Sequence, residues 1–345
     1  MSTAPQRSAT AVILPSRPNP RAQGLRPENG LGFFLFLLVN IALFVRPADV
    51  FPALEGINFY LGLILSCFAV SFLGVLKSFS PQRLERCPID VFLIALLPIV
   101  FLSLASHSRI PEAVDETFSY FKILVYYFLL VTLVSTPSRL RLFLSVLILS
   151  TSVMTIMAML DFFKIISLPR SFLIAGSRFS RIDPNRLYGP GIFHDPNDIA
   201  VIIGAATMLL MGKMLDDRGG LFRWLWLFPL GVFGLGFFFT QSRGGLLAFM
   251  AGFMTQVILR WGWSRAVFIG AMALPALLVM MAGRMTAISA ETETGQSRIQ
   301  LWEEGILMLK SNPLFGVGQN RYHEEAVQVA HNSYMQQFGD TGLPG

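Results

Sequence analysis

The sequence predicts an all-α, polytopic membrane protein, and three observations carry that prediction. The chain is 53% hydrophobic and only 14% charged, with a mean hydropathy of +0.58. It holds several apolar runs of the length a helix needs to cross a bilayer, roughly 20 residues. The runs are continuous rather than alternating. That favours a helical bundle over a strand barrel, the two structures that satisfy every backbone polar group in lipid.

Apolar runs at about 31–45, 57–76, 89–106, 117–134, 140–163, 198–215, 222–240, 244–259 and 265–283 predict nine spans. Residues 1–30, with Arg7, Arg17, Arg21, Arg26 and several prolines, read as a disordered basic arm. A signal peptide is the competing reading, but no small-residue cleavage site follows the run at 31–45. The expected organisation is that arm, a bundle over 31–283 with an outside loop at 164–197, and an outer segment over 284–345.

The net charge of +6 comes from 27 Lys+Arg against 21 Asp+Glu. Basic cytoplasmic loops account for it, so no nucleic-acid partner is expected. With the arm inside, the inner loops hold Lys77/Arg83/Arg86, Arg139/Arg141, Lys213/Arg218/Arg223 and Arg260/Arg265. The first two outer loops hold Arg46 and Arg109 among Asp49, Glu55, Glu112, Asp115 and Glu116. Nine crossings then leave the terminal segment outside. Basic residues in the 164–197 loop and the terminal segment suit either an anionic ligand or simple solubility. Cys67 lies in an apolar run and Cys87 in a loop, which suggests neither a disulfide nor a metal site.

Arg243, in Ser242-Arg243-Gly244-Gly245, falls in the first turn of a helix at its outer end. Unpaired N–H groups there favour an anion, and the glycines permit close approach. Snorkelling to the headgroups is the alternative. Asp195-Pro196, after His194 and before Asn197 and Asp198, fits an N-cap with proline at the first helical position. The spacing of His194, Asp195 and Asp198 is not diagnostic of a metal.

In the terminal segment, Ser297 and Gln300 fit a capping box. Ile299, Trp302, Ile306 and Leu309 follow at helical spacing, and Asn312-Pro313 stops the helix. Such a helix can lie on the outer membrane surface with Trp302 at the interface and Arg298 in its first turn. Phe315-Gly316-Val317-Gly318 lacks the strand-then-helix context of a nucleotide loop. His331-Asn332 opens a second short helix ending at Gly339. On residue chemistry alone His331 is either a structural histidine or a general base.

These pieces in order resemble the O-antigen ligase and Wzy-type polymerase family. They are Phe193-His194-Asp195-Pro196-Asn197-Asp198, Ser242-Arg243-Gly244, Arg298-x-x-x-Trp302, Asn312-Pro313-Leu314-Phe315-Gly316-Val317-Gly318, His331-Asn332-Ser333-Tyr334-Met335 and Asp340-x-Gly342-x-x-Gly345. The resemblance covers roughly 190–345, with Asp340 where glutamate is commoner and Pro344 for an aliphatic residue. It implies a GT-C-like helical bundle in the bacterial inner membrane, with the active site on the outer face. The implied activity is metal-independent, inverting transfer of a glycan from an undecaprenyl-diphosphate carrier. The acceptor would be a hydroxyl of lipid A-core or of a growing polysaccharide. By resemblance, Arg243 and Arg298 bind the diphosphate and His331 is the base, with Asn332, Ser242, Asp195 and Asn197 in support. No cofactor and no metal is implied. The family enters a further span after this point, so the end at Gly345 suggests a truncated or shortened member. A reading from another class is a transporter of a small anion such as bicarbonate, which would use the arginines and not His331.

Overall fold

The computed structural model of the chain describes residues 29–47, 54, 58–167, 185–193, 195–215, 217–272, 295–326 and 328–345. The bundle consists of α1 (Gly30–Val45), α2 (Phe59–Ser78), a short α3 (Pro81–Arg86), α4 (Pro88–Ala105), α5 (Ile110–Leu133), α6 (Pro137–Phe162), α7 (Pro196–Met214), α8 (Leu227–Thr240) and α9 (Arg243–Trp261). A C-terminal unit follows, made of α10 (Gly295–Ser311), α11 (Tyr322–Glu325) and α12 (Ser333–Thr341). Among the described residues there is no strand.

Among the described residues, seven helices are long and apolar enough to cross a membrane, counting Arg223–Thr240 as one span through the 3-10 turn before α8. α1 is apolar but shorter, at 16 residues. The ninth expected span, 265–283, is helical as far as residue 272 and then leaves the described residues. The expected disorder of the N-terminal arm concerns residues that, up to 28, also lie outside them.

Capping chemistry sets where the helices begin. Asn29, Asn58, Thr136, Asp195 and Ser242 each accept a backbone N–H of the first turn through the side chain. Proline occupies the first turn of α3, α4, α5, α6 and α7, where its missing N–H costs nothing. α5 therefore starts at Ile110, ahead of the apolar run from 117. Pro111 and Glu112 suit a first turn, and hydropathy does not register them.

Two apolar clusters form the interior. One joins α1, α2, α5 and α6 around Phe36, Cys67, Leu129 and Leu133. The other joins α6, α7 and α8 around Ile148, Met154, Ile203 and Phe233. Small residues let these helices approach. A Cβ on Gly236 of α8 would lie 2.4 Å from Thr155 Cγ2 of α6, and one on Gly32 of α1 would lie 2.4 Å from Ser71 Oγ of α2. Two tyrosines bond across helices: Tyr126 Oη donates to Asn40 Oδ1 at 2.7 Å, and Tyr127 Oη donates to Asp90 Oδ1 at 2.6 Å.

Contacts between helix ends sort the loops onto two faces. On one, Ser78 pairs with Thr132, Arg139 Nη1 donates to Leu133 O, Lys213 Nζ donates to Ser145 Oγ, and Arg260 Nη2 donates to Leu215 O. On the other, the α4–α5 turn meets the C-terminal unit, and the stretch before α7 meets the α8–α9 link. Lys77, Arg139, Arg141, Lys213 and Arg260 thus share the first face, the grouping that the alternation of charged loops predicts.

Gly236→Leu should lower stability by about 1–3 kcal/mol, because Thr155 cannot yield: its hydroxyl is bonded to Thr151 O. Gly234→Ala, whose added Cβ meets nothing within 4 Å, should leave the midpoint of thermal unfolding in detergent unchanged.

Candidate active site

Arg243 opens α9 at a tight link from α8, where Gln241 takes φ +50° and reverses the chain. Ser242 caps α9 through Gly245 N at 3.1 Å and also donates its hydroxyl to Asn197 Oδ1 at 2.8 Å. Asn197 Oδ1 accepts a second bond, from Arg186 Nη2 at 3.2 Å, while Arg186 Nε donates to Thr240 O at 3.0 Å. Asp195 caps α7 as expected, with Asn197 N donating to its Oδ1 at 2.6 Å. Asp195, Asn197, Ser242 and Arg243 therefore come together in one cluster. The two glycines after Arg243 divide their roles. A Cβ on Gly245 would meet Ala200 Cβ of α7 at 2.6 Å, whereas one on Gly244 would meet nothing within 4 Å. His194 lies outside the described residues.

The second cluster is the C-terminal unit, and its centre is Asp340. This carboxylate is 2% exposed. Its Oδ1 accepts from Arg321 N at 3.1 Å and Tyr322 N at 2.7 Å, and its Oδ2 accepts from Gln336 Nε2 at 3.0 Å. Its backbone carbonyl accepts from Gly318 N at 2.9 Å and from Ser103 Oγ, at the end of α4, at 2.7 Å. Gly316 and Gly318 both take positive φ. A Cβ on Gly316 would sit 2.5 Å from the Asp340 carbonyl oxygen. The glycine turn is therefore a close backbone seat for the end of α12, with Val317 N also bonded to Gly339 O.

His331 is exposed and takes φ +49°, a left-handed turn held from both sides. Before it, Ala330 O accepts from Trp302 Nε1 at 3.0 Å and Ala330 N donates to Gln336 Oε1 at 3.0 Å. After it, Asn332 caps α12 through Tyr334 N and Met335 N. Trp302, expected at the membrane interface, fastens the histidine turn through its bond to Ala330 O.

Several sequence expectations need correction here. α10 begins at Gly295, so Ser297 is its third residue and not its cap. Its buried face is Leu301, Gly305 and Met308, against Tyr322. Ile299, Trp302 and Ile306 of the expected stripe are exposed. α12 runs to Thr341 rather than stopping at Gly339, and α11 adds a third short helix. Arg298 is the fourth residue of α10; its side chain lies outside what is described. Arg186 and Asp340 were missed as organising residues, since each shows its role only through partners distant in sequence.

Charged residues rim the junction with the bundle. Arg109 Nη1 lies 2.8 Å from Glu324 and 3.6 Å from Glu112, and Arg321 Nη2 lies 2.6 Å from Glu112 and also pairs with Glu324. Burial is the largest single influence on Glu324 and pushes its carboxyl up. The combined bonds from Arg109 and Arg321 override it and hold the group below its ordinary value. Among the described residues no three His, Cys, Asp or Glu side chains converge as a metal site.

An all-helical bundle with helices of spanning length, bearing this appended histidine unit, places the chain in the class of polytopic membrane proteins. Residues 228–345 match the sequence model of the family described as O-Antigen ligase. Over that stretch the chain is similar to the O-antigen ligase family, which supports a membrane protein of polysaccharide biosynthesis with a function of the O-antigen ligase or polymerase kind. The match takes in Ser242, Arg243, Arg298, His331 and Asn332. Asp195 and Asn197 precede it, and their link to the site is the hydrogen bond between Asn197 and Ser242. The anion-transporter reading gains no support from this match. No curated protein and no solved structure matches the chain.

Asp340 makes the unit sensitive to pH. Burial first of all raises its carboxyl above the ordinary value, against the bonds from Gln336 and from backbone N–H groups, which lower it. Its contribution to stability is complete below the unfolded value and is lost as pH rises through the raised folded value; the contribution of Glu324 runs oppositely and fails in acid. Asp340→Asn keeps the Oδ1 acceptor and should flatten the Asp340 part of this dependence. Asp340→Ala strands the N–H groups of Arg321 and Tyr322 and should cost about 1–3 kcal/mol. Thermal unfolding of the solubilised protein between about pH 4 and 8 checks both.

Proposed function

We propose that the protein transfers a glycan from an undecaprenyl-diphosphate carrier to an acceptor hydroxyl on the outer face of the bacterial inner membrane. The N-terminus is cytoplasmic in this reading. The acceptor is lipid A-core or a growing polysaccharide chain. The observation that carries the reading is His331, exposed on a turn fixed by Trp302, Gln336 and Asn332 within the stretch that matches the O-Antigen ligase family.

His331 takes the proton from the acceptor hydroxyl as its oxygen attacks the anomeric carbon. The bond from that carbon to the diphosphate breaks, and the configuration inverts because the displacement is direct. Arg243 and Arg298, each in the first turn of a helix, meet the charge that develops on the leaving diphosphate. Two guanidinium groups supply this stabilisation as fixed cations, so the reading needs no metal. Ser242 and Asn197 set the direction of the turn that presents Arg243, and Asp195 holds Asn197 through the α7 cap.

His331→Ala should lower transfer of labelled glycan from its undecaprenyl-diphosphate carrier by about 10²–10⁴-fold. Arg243→Lys should retain part of the activity that Arg243→Ala loses, since a point charge replaces only part of a bidentate contact. Wild-type rates in His331→Ala, measured with purified protein in carrier-loaded liposomes, would sink the mechanism.

A further inference from the structure

The four charges at the junction form a closed ring. Arg109 ends the α4–α5 turn and Glu112 lies in the first turn of α5, Arg321 and Glu324 sit at α11, and each arginine pairs with both glutamates. Two of these pairs lie within an element, at i,i+3 spacing, and two cross between elements. Surface ion pairs taken singly contribute little. This ring differs because it stands at the start of a continuous line of hydrogen bonds. From Arg321 the backbone N–H reaches Asp340, the other Asp340 oxygen holds Gln336, and Gln336 holds Ala330 N, the residue before His331. Beside the ring, Asn320 Nδ2 donates to Glu116 Oε1 at 3.4 Å, and Ser103 donates to Asp340 O.

We propose that this charge ring is a latch that docks the C-terminal unit on the α4–α5 turn and so positions His331 for the reaction. Its four members are positioning residues, acting through Asp340 and Gln336 rather than on substrate. The proposal rests on the reading of His331 as the base.

The ring permits a test in which local pairs and net charge stay constant. Arg109→Glu with Glu112→Arg reverses one side, and Arg321→Glu with Glu324→Arg reverses the other. Either half alone sets like charges against each other across the junction, and the four changes together restore every pair. Docking is read in full-length protein lacking Cys67 and Cys87, by bis-maleimide cross-linking of Glu116→Cys to Asn320→Cys. Turnover is read on the same glycan-transfer assay.

Each half-reversal should cut cross-linking and lower kcat about tenfold or more, with KM for the carrier nearly unchanged because Arg243 is untouched. The fourfold variant should regain both. Wild-type behaviour in the half-reversed proteins overturns the latch, as does a fourfold variant that recovers neither. Should a half-reversed chain fail to fold, Glu324→Gln is the milder break, and wild-type cross-linking and kcat in that variant equally overturn it. If cross-linking follows the charges while unaltered protein transfers no glycan, docking by the ring stands and the transferase reading falls. If unaltered protein transfers glycan and cross-linking ignores the charges, the reading stands and the latch falls.

Discussion

Burying one carboxylate at Asp340 organises the whole C-terminal unit. A charged group removed from water persists only if its lone pairs are met, and here they are met by Arg321 N, Tyr322 N and Gln336 Nε2. Those donors come from α11 and α12, so the carboxylate draws together the two ends of the segment that contains His331. The Asp340 carbonyl adds Gly318 N from the glycine turn and Ser103 from the bundle. Tyr322 fills the remaining space, fully buried, with its hydroxyl on Leu301 O and its ring against Gly305 and Gly339. Remove the carboxylate and α11 and α12 lose their common point of reference.

The bundle solves a different problem with different means. In lipid there is no gain from hiding one apolar side chain against another rather than against an acyl chain, so close packing and interhelical hydrogen bonds decide which helices touch. Gly236 against Thr155, Gly32 against Ser71 and Gly245 against Ala200 are such approaches. The apolar residues left exposed on α2 and α4, among them Leu73 and Phe92, then belong to the lipid-facing surface of a spanning helix. At the N-terminal ends of α7 and α9 the two problems meet. Gly245 brings the helices together, and the Ser242–Asn197 bond uses that proximity to fix the turn carrying Arg243.

Much of this architecture was legible in the sequence because its causes are local. Spans follow from runs of apolar residues, and starts such as Asp195-Pro196 and Ser242-Arg243 follow from the chemistry of unpaired N–H groups. The α10 stripe was misread because two apolar stripes share that helix. Ile299, Trp302 and Ile306 carry more hydrophobicity, yet the buried seam runs through Gly305, which no hydropathy scale marks and whose missing Cβ leaves room for Tyr322. Arg186 and Asp340 were illegible for a related reason. One acts on Asn197 and Thr240, 11 and 54 residues away, and the other accepts from Ser103, 237 residues away.

That last separation bears on how the molecule assembles. The residues of the α4–α5 turn that receive the C-terminal unit are joined to partners 204 to 237 positions later in the chain. During synthesis the turn is therefore inserted, with Ser103, Arg109 and Glu112 in place, long before Arg321 and Asp340 exist. Contacts this distant form late, after their loop-closure cost has been met. The turn is in this sense a dock made in advance, and the histidine-bearing unit arrives at it later.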